Sequence, residues 1–93
     1  MARRSLDERS SRVVRQSQQF TRVARQLGRR VRMLRESRGW TLEAAAERMK
    51  MDLKHLQKVE AGSINVTLVT LIRIGSGFGE SIQALFEPAG TSR

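Results

Sequence analysis

Residues 41–62 read TLEAAAERMKMDLKHLQKVEAG, and two helix starts lie within them. Thr41 suits an N-cap because its hydroxyl can accept from a first-turn amide that has no partner in the helix, and Glu43 and Glu47 suit the first turns. Alanines 44–46 favour a helix that approaches a neighbour closely. This predicts a short helix over 42–49. Lys50 and Met51 then form a tight link, and Asp52 offers a second N-cap. Beyond it Leu56 and Val59 recur as one apolar side of a helix that stops before Gly62.

Two short helices joined by so tight a link make a helix-turn-helix. If Leu56 and Val59 pack inward, Lys54, His55, Gln57 and Lys58 stay outward, a face rich in hydrogen-bond donors. Taken alone, each lysine reads equally well as a solvated surface charge. His55 is the only histidine and there is no cysteine, so it has no companions for a metal site.

Upstream, Val23, Leu27, Val31 and Leu34 recur at helical spacing, with Arg22, Arg25, Arg29 and Arg32 as the opposite stripe. Gly39 stops that helix. Downstream, Thr67 caps LVTLIRIGSGF, with Leu68, Leu71, Ile72 and Phe78 expected inward, and Gly75 and Gly77 allowing close packing or fraying. Ser81 caps a fifth short helix, IQALF, stopped by Pro88. No strand alternation occurs. The expected organisation is a basic arm or extra helix over 1–21, one all-α domain over 22–88, and a tail over 89–93.

The chain has 93 residues, with 18 Lys and Arg against 9 Asp and Glu, a net charge of +9 and an isoelectric point near 11.7. Such a balance favours a polyanionic partner, nucleic acid or an anionic membrane surface. The excess is concentrated in residues 1–30, where Arg3, Arg4, Arg9, Arg12, Arg15, Arg22, Arg25, Arg29 and Arg30 face only Asp7 and Glu8. With no cysteine, disulfides and thiolate metal sites are excluded and a reducing cytoplasm is expected, at the nucleoid for a DNA-binding protein. No apolar run approaches the ~18 residues of a membrane span. An Arg-rich, Ser-containing start is also the composition of a transit peptide, against which Asp7 and Glu8 argue.

From Leu27 to Pro88 the sequence resembles the Cro and phage-repressor type (XRE) helix-turn-helix family, compact five-helix, lambda-repressor-like domains of DNA-binding transcriptional regulators. The residues that carry the resemblance are Arg35, RGWT before the second helix, Ala46, VEAG at 59–62, NVTL at 65–68 and LF at 85–86. The resemblance implies an internal ion pair between Arg35 and Glu60, a small Ala46 where helices cross, and Trp40 at the core edge. It implies DNA contacts at Thr41, Leu53, Lys54, His55, Gln57, Lys58, Ser63 and Asn65. Lys54 and Lys58 would meet guanine or phosphate, Gln57 adenine or phosphate, and Leu53 a thymine methyl. The helix's exposed amides would face phosphate. Two departures remove phosphate anchors: Leu42 replaces a frequent Gln, and Ser63 replaces a basic residue. Lys50 replaces the common turn glycine, at a cost of about 1 kcal/mol if left-handed. The Arg-rich front end is expected to compensate by following the groove.

The resemblance implies a homodimeric repressor that binds double-stranded DNA, with Phe78, Ile82, Leu85 and Phe86 as the expected seam, core packing being an equal alternative for Leu85 and Phe86. One alternative is the DNA-binding antitoxin of a toxin–antitoxin pair, with a toxin as protein partner. Another is a helix-turn-helix turned to protein binding through Leu42, Leu53, Ile64 and Val66. No catalytic set, cofactor site or metal site is expected: GSGFGE ends a helix rather than opening one after a strand. No effector domain is read in the sequence.

Overall fold

The computed structural model describes residues 17–87. They form α1 (Gln18–Ser37), α2 (Leu42–Met49), α3 (Leu53–Ala61), α4 (Leu68–Phe78) and a 3-10 helix (Gln83–Phe86), and no strand occurs among them. The expected arm over 1–16 and the tail beyond 87 lie outside the described residues.

Capping chemistry sets the boundaries. Thr41, Asp52 and Thr67 each accept from first-turn amides, as does Ser17 from Phe20 N at 3.1 Å. A side-chain cap of this kind contributes about 1 kcal/mol. The Ser17 cap starts α1 at Gln18, four residues before the expected domain boundary, so residues 18–21 belong to the helix and not to an arm.

The core consists of Leu27, Val31, Leu34, Ala45, Ala46, Met49, Leu56, Val59, Ile74, Phe78 and Leu85. Each large side chain here contributes roughly 1.5–3 kcal/mol on leaving water. α1 packs across α3 and the 3-10 helix, while α2 packs on α3 and α4. Two glycines permit these approaches. A Cβ at Gly28 would stand 2.5 Å from the Glu60 carbonyl oxygen and 2.6 Å from that of Val59, and one at Gly77 would stand 2.6 Å from Met49 Cγ. The middle of α1 is tied to the 3-10 helix: Gln26 Nε2 donates to Phe86 O at 2.7 Å and Arg30 Nε to Ala84 O at 2.9 Å.

Four placements correct the sequence reading. Val23 is exposed, and Ala24 takes the buried position of that turn. In α4, Leu68 and Ile72 are 65% and 49% exposed, because the buried stripe runs through Thr70, Ile74, Gly75 and Phe78. The last element is a 3-10 turn rather than an α-helix, although Ser81 Oγ does accept from Ala84 N at 3.2 Å. Finally, Phe78 and Leu85 are 6% and 0% exposed, so these two cannot form an intermolecular seam. Ile82 and Phe86 are half-buried, Phe86 against the core.

Candidate nucleic-acid interface

α3 begins where Asp52 ends the link after α2. Lys50 turns the chain in the left-handed region at φ 55°, ψ 46°, and its amide reaches Glu47 O at 3.1 Å. Among the described residues it is the only non-glycine with positive φ. The turn is fastened from α4, where Arg73 Nη1 donates to Lys50 O at 2.8 Å.

The helix turns Leu56 and Val59 into the core. Lys54, Gln57 and Lys58 are exposed, and Leu53 and His55 are half-buried beside them. Thr41, Ser63 and Asn65 are also exposed. Thr41 Oγ1 accepts from Ala44 N at 3.0 Å, and Ser63 Oγ turns back to donate to Lys58 O at 3.3 Å. The N-terminal amides of α3 are not open to phosphate as the sequence reading has them. Asp52 Oδ2 accepts from Lys54 N at 3.0 Å and His55 N at 3.3 Å, placing a carboxylate where an anion would have to sit.

Behind α3, Glu60 receives Arg35 Nε at 2.7 Å and Nη2 at 3.2 Å, while Arg35 Nη1 reaches Trp40 O at 2.9 Å. The Glu60 hydrogen bond raises the Arg35 pKa above its ordinary value, and burial opposes it. The guanidinium is thereby committed to holding the helix. Trp40 stacks on Phe78 at 5.7 Å and 10°, with Arg48 4.4 Å above its ring. Leu42, Ile64 and Val66 pack against the core, so the apolar patch expected beside Leu53 is not a free surface.

Sequence reasoning missed three features. Gly28 looks like any mid-helix glycine until the α3 carbonyls are placed against it. Leu68, Val69 and Ile72 form an exposed apolar group that no periodicity marks in so apolar a helix. Arg22, Arg25 and Arg29, with Gln18 and Thr21, line an open groove on α1. Among the described residues, no three His, Cys, Asp or Glu side chains are grouped to hold a metal ion, and no helix is long and apolar enough to cross a membrane.

A helix-turn-helix domain model matches residues 26–87, two thirds of the chain. The protein belongs to this helix-turn-helix family, of the Cro and phage-repressor type. Among solved structures it is similar to an HTH_3 family transcriptional regulator from Vibrio cholerae, at 31% identity and a TM-score of 0.69 over 72% of this chain. The chain spans 38% of that regulator's length. It is also similar to the restriction-modification controller protein C.AhdI from Aeromonas hydrophila, at 28% identity and a TM-score of 0.66, covering 68% of this chain and 96% of the other. The hypothetical transcription factor NHTF from Neisseria shares the fold, at 22% identity and a TM-score of 0.68 over 72% of this chain and 77% of that one. No curated protein sequence matches the chain.

Proposed function

We propose that the protein is a sequence-specific regulator of transcription that binds double-stranded DNA as a homodimer, lays α3 in the major groove and represses by occluding polymerase. One observation carries this reading: Lys54, Gln57 and Lys58 stand outward on the helix whose opposite face, Leu56 and Val59, is buried in the core. Lys54 and Lys58 can donate to guanine O6/N7 or to phosphate, Gln57 can pair with an adenine edge, and Leu53 can meet a thymine methyl. Thr41 before α2 and Asn65 after α3 offer hydroxyl and amide donors to the backbone, while the Ser63 hydroxyl is turned to Lys58 O. Arg35 and Glu60 hold α3 rather than read DNA.

One short reading helix makes few base contacts, and two copies on half-sites about 34 Å apart multiply affinity. The pairing surface moves from the buried Phe78 and Leu85 to the exposed face of α4. Of the four exposed large hydrophobics among the described residues, Leu68, Val69 and Ile72 lie together on that helix. A second copy of the chain is the occupant that a two-fold DNA site requires.

The test is selection from a random double-stranded pool at physiological salt, followed by sequencing of the bound fraction. The expected product is a two-fold motif with half-sites one helical turn apart. Retention of DNA without enrichment of any motif would refute sequence-specific reading.

A further inference from the structure

Most arginines of the described residues are engaged. Arg30, Arg35, Arg38 and Arg73 donate to backbone carbonyls, Arg32 pairs with Glu36 at 3.1 Å, and Arg48 lies over Trp40. Arg22, Arg25 and Arg29 are exposed and make no hydrogen bond or ion pair within the described residues. They recur at i, i+3 and i+7 on α1 and share one open groove of about 420 Å³. Three like charges on one helix face repel one another, so the face is complementary to a polyanion.

The stripe also borders the reading helix. A Cβ on Gly62, the C-cap of α3, would stand 2.9 Å from Arg25 Cα and 3.0 Å from Arg25 Cγ. Arg25 therefore runs directly over the end of α3, next to Ser63. Other backbone anchors are weak: Leu42 has no side-chain donor, the Ser63 hydroxyl is turned back on Lys58 O, and Asp52 accepts from two amides at the start of α3. At 1.5 Å per residue the stripe is about 10 Å long. Phosphates of one strand recur every ~3.4 Å along the duplex axis, so three long side chains can each take a different phosphate. The guanidinium fork suits that acceptor.

We propose that Arg22, Arg25 and Arg29 form a phosphate clamp that grips the backbone of the strand bordering the groove read by α3. The clamp rests on the DNA-binding reading above and adds to it a second contact surface, carried by α1. It supplies affinity without base preference.

The test compares three forms of the 93-residue chain: wild type, R22Q/R25Q/R29Q, and R48Q/Q83E/R93Q, which makes the same change in net charge at other places. Binding is measured by fluorescence anisotropy on labelled duplexes of about 30 base pairs, one carrying the selected motif and one scrambled, between about 50 and 300 mM KCl. Each phosphate contact contributes about 0.9 to the slope of log K against log salt. The stripe variant is expected to lose about 2 to 3 from that slope on both duplexes, with the ratio of motif to scrambled affinity unchanged and the control losing less than about 1. R22K/R25K/R29K should restore most of the slope, which a merely structural role would not do. Equal slopes in the stripe variant and the control, or an unchanged slope in the stripe variant, would overturn the clamp. Failure of the underlying reading is separate: wild type would then bind motif and scrambled duplexes alike, while the slope comparison on scrambled DNA still decides the clamp.

Discussion

Arg35 and Glu60 close a two-point ion pair between α1 and α3, at 2.7 and 3.2 Å, with side chains only 12% and 9% exposed. The same guanidinium holds the Trp40 carbonyl, so one side chain fixes α3, α1 and the end of the link between α1 and α2. Removing either partner strands a largely buried charge. Arg35→Met and Glu60→Gln should each lose about 3 kcal/mol in urea unfolding. The double variant, Arg35→Met with Glu60→Gln, should lose less than the sum of the two single losses. If the losses of the two single variants simply add, the two residues do not act as a pair.

The same pair fixes a pH response. Hydrogen bonding to Glu60 raises the Arg35 pKa, and a cation raised in the folded state gives stability that is complete below its unfolded pKa and lost only above its folded one. Both values lie above the working range. The stability gap between wild type and Arg35→Met should therefore stay flat from about pH 7 to about pH 10. A gap that shrinks within that window would contradict this account of the pair.

Gly28 and Gly39 separate two kinds of glycine. Alanine at Gly28 drives a methyl into the Val59 and Glu60 carbonyls and must push α1 from α3, costing about 2 to 3 kcal/mol. Alanine at Gly39 meets nothing within 4 Å, and its cost is the left-handed backbone alone, about 1 kcal/mol. Thermal melts of the two variants should rank in that order. Gly28→Ala should also weaken DNA binding, because the end of α3 moves with those carbonyls.

Lys50 carries the same backbone strain without being glycine. Lys50→Gly should relieve up to about 1 kcal/mol, less the extra freedom gained by the unfolded chain. The melting point should rise by a few degrees at most. A fall would mean that the lysine side chain itself stabilises the turn.

On the proposed reading face, base and backbone contacts should separate in their effects. Lys54→Ala should change preference at one base position by about 1 to 3 kcal/mol. Deleting residues 1–20, which removes five arginines outside the described residues and disrupts the start of α1, should weaken all DNA binding and flatten its salt slope. On α4, Ile72→Glu should shift sedimentation from dimer to monomer while leaving the melting point nearly unchanged, since Ile72 is outside the core.

What the sequence made legible follows from how local each signal is. Thr41, Asp52 and Thr67 act within three residues of themselves, so the starts of α2, α3 and α4 could be read from single side chains. The register of α4 could not. Leu68, Val69, Leu71, Ile72 and Ile74 circle the helix, and only packing against α2 selects Ile74 and Phe78 for burial. Phe78 and Leu85 looked available for a seam because the core that swallows them is built from α1 and α2, far away in sequence. The outward positions of α3 were legible because Leu56 and Val59 fix its inner side. Asp52's hold on two amides is a matter of geometry that composition does not carry.

Trp40 is the chain's single tryptophan, stacked on Phe78 and flanked by the guanidinium groups of Arg38 and Arg48. The molecule therefore carries its own fluorophore at the junction of α1 and α2. Unfolding should shift its emission to the red as the indole leaves the ring and cations that cover it. Glu60, Arg35 and the Trp40 carbonyl link α3 to this junction, and Thr41 lies next to Trp40 in the chain. A change in emission on adding DNA would thus be a label-free readout of binding felt at this junction, and an unchanged spectrum would show that DNA is engaged without disturbing it.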